Sequence, residues 1–314
     1  MILKPLVINL APTGMVPTRT DTPHVPITPE EIANDVARCI PLGVSMVHLH
    51  ARDENGVPTY RKEVYARIIE GIRTRYPEVV IVVSTSGRNI PEFEKRSEVL
   101  SLTGAYQPDM ASLTLSSLNF AKTASVNSPA IIESLIDRML EQGIRPEFEV
   151  FDLGMMNFAN YLINKKNIQP PYYFNILLGN IATAQAKLLH LGIIMSELPV
   201  DSICAIGGIG NTQLIANSLG IAVADGVRTG LEDNIWMDQD RSVFSTNYAL
   251  VERIARMAQE MNRPLATPAQ VRQMLQCVTR SKKTEPIKHS IQADGQSLPA
   301  ALFRLKPLFK QGHT

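Results

Sequence analysis

The 314-residue sequence predicts a single (β/α)8 (TIM) barrel over residues 1–278, followed by a C-terminal extension over residues 279–314. About eight strand–helix pairs fit into roughly 250 residues, which is the usual rhythm and size of such a barrel. Polar and glycine-rich clusters follow several predicted strands, at the ends where barrel enzymes carry their active sites. The doubly wound open sheet is the alternative, but Ala11-Pro12-Thr13-Gly14 after the first strand is not the glycine fingerprint that it needs.

The strands are predicted from short apolar runs that end at turn residues. The first run begins at Leu6 and is broken by Pro12-Thr13-Gly14, and the second leads into a pair of histidines. The eight strands are predicted over residues 6–10, 44–49, 79–84, 110–115, 147–151, 174–178, 202–206 and 226–229.

Helical patterns separate these strands. In the first helix, Thr28 is the expected N-cap, Pro29 takes the first helical position, and Gly43 follows the helix end. Residues 62–76 form an amphipathic pattern, and Gly143 closes the helix that begins at Pro129. The remaining helices are predicted near residues 91–102, over 129–142, 155–165 and 182–197, from 212, and over 246–261.

The composition describes a globular protein with an ample core, since 45% of the residues are hydrophobic and 19% are charged. A net charge of +1 gives no reason to expect nucleic acid or an anionic membrane as a partner. Three widely spaced cysteines favour a reducing compartment over a disulfide framework, and Cys204 lies in an apolar strand. Without a transmembrane-length apolar run or a signal-peptide pattern, we expect a cytoplasmic protein.

The C-terminal extension differs from the barrel in charge. Residues 279–314 contain seven Lys and Arg against two acidic residues, a formal charge of +5, so the remainder carries −4 (+1 minus +5). Residues 298–309 are apolar enough to dock on the barrel or on a neighbouring subunit. A solvated tail is the alternative interpretation.

Two histidines at the end of the second strand are the first candidate metal ligands. His48 and His50 lie one step apart in a strand and therefore face the same side. Neighbouring neutral imidazoles suit Zn²⁺ or another divalent ion, whereas buried imidazoles without partners are costly in a core. A pair of hydrogen-bonded core histidines is the alternative.

Further chemistry is expected at other strand ends. Arg228, Glu232 and Asp233 form a charged cluster beyond the last strand, either a third metal ligand with a catalytic pair or a network that ties the loop. The segment 84–88 offers hydroxyls and backbone N–H groups for a carboxylate or phosphate, although a capped turn has the same pattern. The glycine loop 207–212 would let an anion approach the start of a helix, and simple barrel geometry is its alternative.

Taken together, these motifs resemble the β-keto acid cleavage enzymes, in order and over about residues 5–278. The strongest are His48-Leu49-His50-Ala51-Arg52-Asp53 and Gly230-Leu231-Glu232-Asp233-Asn234. The others lie at residues 83–87, 108–113, 117–120 and 263–268. The resemblance implies a (β/α)8 barrel with a divalent metal, normally zinc, that converts a β-keto acid and acetyl-CoA into acetoacetate and a new acyl-CoA.

The resemblance also implies roles for individual residues. His48, His50 and Glu232 match the metal ligands, and Asp233 matches a base paired with Arg228. The expected substrate-binding residues are Ser84, Thr85, Gly87, Ser112 and Thr114, and Gly208 and Gly210 belong to the expected CoA-binding loop. The family resemblance further suggests a homo-oligomer, a tetramer or similar.

Two positions depart from the family pattern. Val16 stands where the aminohexanoate-cleaving members have a glutamate associated with the substrate's amino group, so a neutral or apolar keto acid is expected. Asn211 replaces an arginine of the glycine loop, which leaves the affinity for CoA open. A barrel metallohydrolase and a non-catalytic metabolite-binding barrel are the alternative functions.

Overall fold

In the computed structural model, residues 4–278 are described and form a closed barrel of eight parallel strands. The strands are β1 (Val7–Leu10), β2 (Met46–Leu49), β3 (Val80–Val83), β4 (Met110–Thr114), β5 (Arg145–Val150), β6 (Tyr172–Leu178), β7 (Ser202–Gly208) and β8 (Gly226–Thr229). Each strand pairs with the next along the chain, and β8 closes the barrel against β1. The predicted (β/α)8 barrel is confirmed. The predicted extension over 279–314, with its docking segment, lies outside the described residues.

Helices alternate with the strands around the outside of the barrel. They are α1 (Pro29–Cys39), α2 (Lys62–Arg73), α3 (Phe93–Ser97), α4 (Pro129–Glu141), α5 (Leu153–Lys166), α6 (Leu188–Ser196), α7 (Gln213–Val223), α8 (Asn247–Glu260) and α9 (Pro268–Met274). Thr28 caps α1 in a capping box with Glu31, as the sequence predicts. Within the described residues, none of these helices is both long and apolar enough to cross a membrane.

Two predicted helices differ from their expected lengths. The segment predicted over 91–102 forms α3 and a short 3-10 turn (Glu98–Ser101), in which the Ser101 hydroxyl donates to the Glu98 carbonyl. The helix predicted from residue 182 begins only at Leu188. Before it, the Gln185 side chain donates to the carbonyls of Asn180 and Thr183 and holds a compact loop.

The barrel interior has an apolar and a polar layer. Val7, Met46, Val80 and Met110, each the first residue of its strand, pack with Val271 of α9, so this helix covers the amino-terminal end of the barrel. Alternation along the strands then places a polar layer above the apolar one. Its members are Asn9, His48, Ser112, Glu147, Asn175 and Arg228, all at most 2% exposed.

A glycine at the end of β8 permits the close approach that shapes the following loop. Gly230 has φ +146°, and a Cβ there would collide with the backbone carbonyl of Ala11. Beyond it, the Glu232 backbone N–H donates to the same Ala11 carbonyl at 3.2 Å. The loop that carries Glu232 and Asp233 is therefore fixed against the end of β1.

We expect Gly230→Ala to destabilise the protein by about 2–4 kcal/mol, because it combines backbone strain with a collision. Urea denaturation measures the change. The control is Gly192→Ala in α6, where an added Cβ meets no atom of the described structure within 4 Å. A helical alanine should stabilise that position by about 0.5–1 kcal/mol. Equal midpoints for the two variants would contradict the role given to Gly230.

Candidate active site

The two histidines of β2 meet inside the mouth of the barrel. His48 and His50 are 1% and 6% exposed, and their Nε2 atoms lie 3.3 Å apart. Burial lowers the pKa of His50. Burial also opposes charge on His48, but the carboxylates of Glu147 and Glu232 together outweigh it and raise the pKa of that ring. Both predicted ligands therefore point at one place.

Glu232 reaches the same place from the loop after β8. Its Oε1 lies 3.2 Å from the His50 Nε2 and 2.7 Å from the Arg228 Nη2. Its Oε2 is buried and has no hydrogen-bond partner within residues 4–278. Although burial opposes ionisation, His50 and Arg228 hold the pKa of Glu232 well below its usual value. One oxygen of this carboxylate is therefore available to a ligand.

These three side chains fit a divalent metal ion. His48, His50 and Glu232 each offer a ligand atom, and these atoms lie within 4.8 Å of one another. Two imidazole nitrogens and a carboxylate are a donor set that zinc and several other divalent ions accept. The unsatisfied Glu232 oxygen and the two facing Nε2 atoms are what a cation at this place would satisfy.

Glu147 fixes the orientation of His48. One carboxylate oxygen lies 2.6 Å from the His48 Nδ1, and the other accepts from the amides of Asn9 and Asn175 at 2.9 Å each. An imidazole that binds a metal through one nitrogen usually donates from the other to such a carboxylate. Glu147 therefore holds the His48 Nε2 towards His50.

A second group of potential ligands shares one histidine with the first. It consists of His48, Glu147 and Glu149. Both oxygens of Glu147 are already engaged with described partners, and Glu149 accepts from the Thr114 hydroxyl at 2.7 Å. Burial raises the pKa of Glu149, against the opposing effect of His48 and Arg228. The first group offers its donors more freely.

Arg228 connects the metal-ligand group to Asp233. Its Nε donates to one Asp233 oxygen at 2.9 Å, and its Nη2 donates to the other at 3.2 Å and to Glu232 at 2.7 Å. Burial works against its charge, but Asp233 and Glu232 raise the pKa of Arg228 well above its usual value. Burial raises the pKa of Asp233, and Arg228 limits that rise. A buried carboxylate of raised pKa beside a fixed cation is suited to accept a proton.

The loop after β3, residues 84–88, is called the serine loop here and lies beside the histidines. Ser84 and Thr85 line a cavity together with His50. The Ser84 hydroxyl accepts the Ser86 N–H at 3.1 Å. Thr85 bonds Ser112 twice, since its hydroxyl donates to the Ser112 carbonyl at 2.6 Å and its N–H donates to the Ser112 hydroxyl at 3.2 Å. Ser84 therefore faces the open space, whereas Thr85 and Ser112 bind each other.

The other expected binding residues have packing roles as well. A Cβ on Gly87 would collide with the guanidinium of Arg96, and one on Gly208 would collide with Thr212 and Ala216 of the following segment. The Gly210 N–H donates to the backbone carbonyl of Asp233 at 2.7 Å. The glycine loop thus lies against the Asp233 loop.

Several residues of the site are absent from the sequence predictions. They are Asn9, Glu147, Glu149 and Asn175 in the barrel interior. Arg88 lies in the predicted segment 84–88, but that prediction rested on hydroxyls and N–H groups and not on the guanidinium. The pattern Glu147-Phe148-Glu149 inside a strand is a usable signal, because it places two carboxylates on one buried face. The single asparagines of β1 and β6 carry no comparable signal.

Together, this fold and this cluster at the carboxyl ends of the strands define a barrel enzyme. A family model described as "beta-keto acid cleavage enzyme" matches residues 5–277. The chain belongs to that family.

Named relatives agree with this membership. A 3-keto-5-aminohexanoate cleavage enzyme of Fusobacterium nucleatum is 35% identical over 276 residues, covering 87% of this chain and 98% of the relative. A 3-oxoadipate:acetyl-CoA acetyltransferase of Cupriavidus necator is 34% identical over 275 residues, covering 87% and 95%. Among solved structures, a binary complex of ObcA with oxaloacetate superposes with a TM-score of 0.73 at 20% identity, over 81% of this chain and 68% of ObcA. That likeness supports the barrel fold.

We expect Glu147→Gln to weaken binding of a divalent metal about 10- to 100-fold without abolishing it, because the amide holds the His48 ring less firmly. Titration of metal-free protein with Zn²⁺ measures the affinity and the stoichiometry. Glu133→Gln, on the outer surface of α4 where Glu133 pairs with Lys165, should bind as the wild type does. Unchanged affinity in Glu147→Gln would contradict the positioning role, and complete loss at every concentration would make Glu147 a ligand.

Proposed function

We propose that this protein is a metal-dependent β-keto acid cleavage enzyme with acetyl-CoA as co-substrate. The C–S bond of acetyl-CoA breaks as its acetyl group joins C2 of the keto acid, and the released CoA thiolate adds to C3. The bond between C2 and C3 then breaks, which leaves the acyl fragment on CoA, and C2 takes back the proton that it gave to the base. The products are acetoacetate and a new acyl-CoA. The observation that carries the proposal is the convergence of His48, His50 and Glu232 beside the Arg228–Asp233 pair, in a chain of this family.

Zinc is the metal we propose for His48, His50 and Glu232, since zinc accepts two imidazoles and a carboxylate. When bound, a divalent ion supplies Lewis-acid polarisation of the keto oxygen. The chain's own part is orientation. Glu147 holds His48, Gly230 allows the loop to reach the histidines, and Arg228 fixes Glu232.

Asp233 is the base in this proposal. The carbon that forms the new bond must lose a proton, and C2 of a β-keto acid is the acidic carbon. Asp233 accepts that proton on a carboxylate oxygen, because burial raises its pKa towards the range useful for proton transfer. Arg228 holds the carboxylate in place through both of its oxygens.

The serine loop and the glycine loop are the proposed substrate contacts. Ser84, which lines the cavity next to His50, would donate to the keto acid, and Thr85, Gly87, Ser112 and Thr114 would shape that side of the pocket. Gly208 and Gly210 would carry the CoA side, next to the loop of Asp233. Among the relatives, one is named for a dicarboxylic keto acid and another for an amino-bearing keto acid.

Position 16 supports a substrate without an ammonium group. Val16 is 58% exposed in the loop after β1, whose backbone the buried Arg52 holds through the carbonyls of Gly14 and Pro17. Met15 from the same loop lines the cavity beside His50.

The homo-oligomeric state and the cytoplasmic location remain predictions.

The experiment that tests the proposal is acetoacetate formation from acetyl-CoA across a panel of β-keto acids, with the metal content of the protein measured. We expect acetoacetate and a matching acyl-CoA in equal amounts from at least one keto acid. Bound metal without any product that depends on acetyl-CoA would overturn the proposal and favour a metallohydrolase.

We expect Asp233→Asn to keep the bound metal and to lose about 10²- to 10⁴-fold in kcat, because an amide cannot accept the proton. Metal analysis and steady-state rates are measured on the same preparation. Asp137→Asn is the control, since Asp137 pairs with Lys166 on the outside of the barrel. Wild-type turnover by Asp233→Asn would remove Asp233 from the chemistry.

A further inference from the structure

Arg88 lies in the loop after β3 and packs against an aromatic ring from another loop. Its guanidinium carbon lies 3.5 Å from the centroid of the Phe120 ring. Phe120 packs edge-on against Phe151, the residue that follows β5, with ring centroids 6.1 Å apart. The Arg88 side chain therefore reaches from β3 towards the β4–β5 side of the mouth.

The N–H groups of the Arg88 guanidinium are unpaired in the described part of the chain. Within residues 4–278, no hydrogen bond or ion pair joins the side chain of Arg88 to another group, although the residue is partly buried. Stacking on an aromatic ring uses the face of the guanidinium and leaves its N–H groups free in the plane. Those N–H groups match a planar carboxylate in bidentate fashion.

The acids of the site already have partners, and the remaining oxygen of Glu232 is the one offered to the metal. Glu232 and Asp233 accept from Arg228, and Glu149 accepts from Thr114. Burial lowers the pKa of Arg88, while these three carboxylates act from a distance to stabilise its charge. An arginine held in the mouth by stacking, with its donors unused, can take an anion from solution.

We propose that Arg88 binds a second carboxylate, at the far end of a dicarboxylic β-keto acid, and thereby selects such substrates. The order of the strands supports this placement. The candidate metal ligands come from β2 and from the loop after β8, whereas Phe120 and Phe151 belong to the β4–β5 side, across the barrel. A keto acid with its reacting end at the histidines would extend its other end towards Arg88.

This inference rests on the proposed function, and it departs from the expectation of a neutral or apolar keto acid. The absence of a carboxylate at Val16 argues only against a cationic end. The N–H groups of Arg88 that point to no described acceptor favour a keto acid whose far end is anionic.

Calorimetric titration with adipate and hexanoate tests the proposal without turnover. The two molecules have equal length and differ in one terminal carboxylate. We expect wild-type protein to bind adipate roughly 10- to 100-fold more tightly than hexanoate, as a charged hydrogen-bonded pair implies. Arg88→Met should lose this preference and bind hexanoate as the wild type does.

Two variants accompany this test. Arg61→Met removes an exposed arginine whose recorded ion pair is with its neighbour Glu63, and it should retain the preference for adipate. Arg88→Lys keeps the charge and should keep a reduced preference, so wild type and Arg88→Lys decide the matter where Arg88→Met does not fold.

Turnover of 3-oxoadipate and 3-oxohexanoate, measured as kcat/KM, shows which anion Arg88 binds: the far carboxylate of the keto acid, the carboxylate that both keto acids share, or a CoA phosphate. We expect Arg88→Met to lower kcat/KM for 3-oxoadipate alone. Equal affinity of wild type for adipate and hexanoate overturns the proposal. So does an equal loss for both keto acids, which would place the shared carboxylate at Arg88, or a rise in the KM for acetyl-CoA alone, which would place a CoA phosphate there. Absence of turnover refutes the proposed function, whereas the adipate titration still tests Arg88.

Discussion

The buried side chain of Arg228 is the interaction on which the site depends. Within the described mouth of the barrel it contacts three carboxylates, those of Glu149, Glu232 and Asp233. Buried charges are costly unless they are paired, and one fixed guanidinium compensates for several acids at once. The planar guanidinium of Arg228 also sets the distance between Glu232, the proposed metal ligand, and Asp233, the proposed base. A lysine could not do this, because it lacks a planar array of donors.

The arrangement leaves the site with an excess of negative charge that favours a bound cation. Glu147 and Glu149 lie on β5, and the other two acids follow β8. Against these four carboxylates stand Arg228 in their midst and, farther from Glu232, Arg52 and Arg88. The apolar layer below, closed by α9, isolates this charge from water at the other end of the barrel. The polar layer is thus a functional feature placed on a stable apolar base.

Much of this architecture could be predicted from the sequence, because the barrel depends on local patterns. Short apolar runs that end at turn residues, Thr28-Pro29 at a helix start and the His48–His50 spacing are short-range signals. The helix expected from residue 182 failed for a non-local reason, since the Ala184 N–H donates to the carbonyl of Phe151 in another loop. The partnership of Glu147 with His48, 99 residues apart, likewise exists only after the barrel closes. The segment 84–88 was predicted, but the part played by the Arg88 guanidinium was not, because it depends on the distant Phe120.

We propose that His48, His50 and Glu232 hold one divalent metal, and that Glu147 orients His48 through its Nδ1 without binding the metal. Anomalous diffraction at the zinc edge, from crystals of the zinc-loaded protein, tests it most directly. We expect one ion about 2.0–2.2 Å from the Nε2 atoms of His48 and His50 and from a Glu232 oxygen. An ion bound instead by Glu147 and Glu149, with His50 unligated, would contradict it.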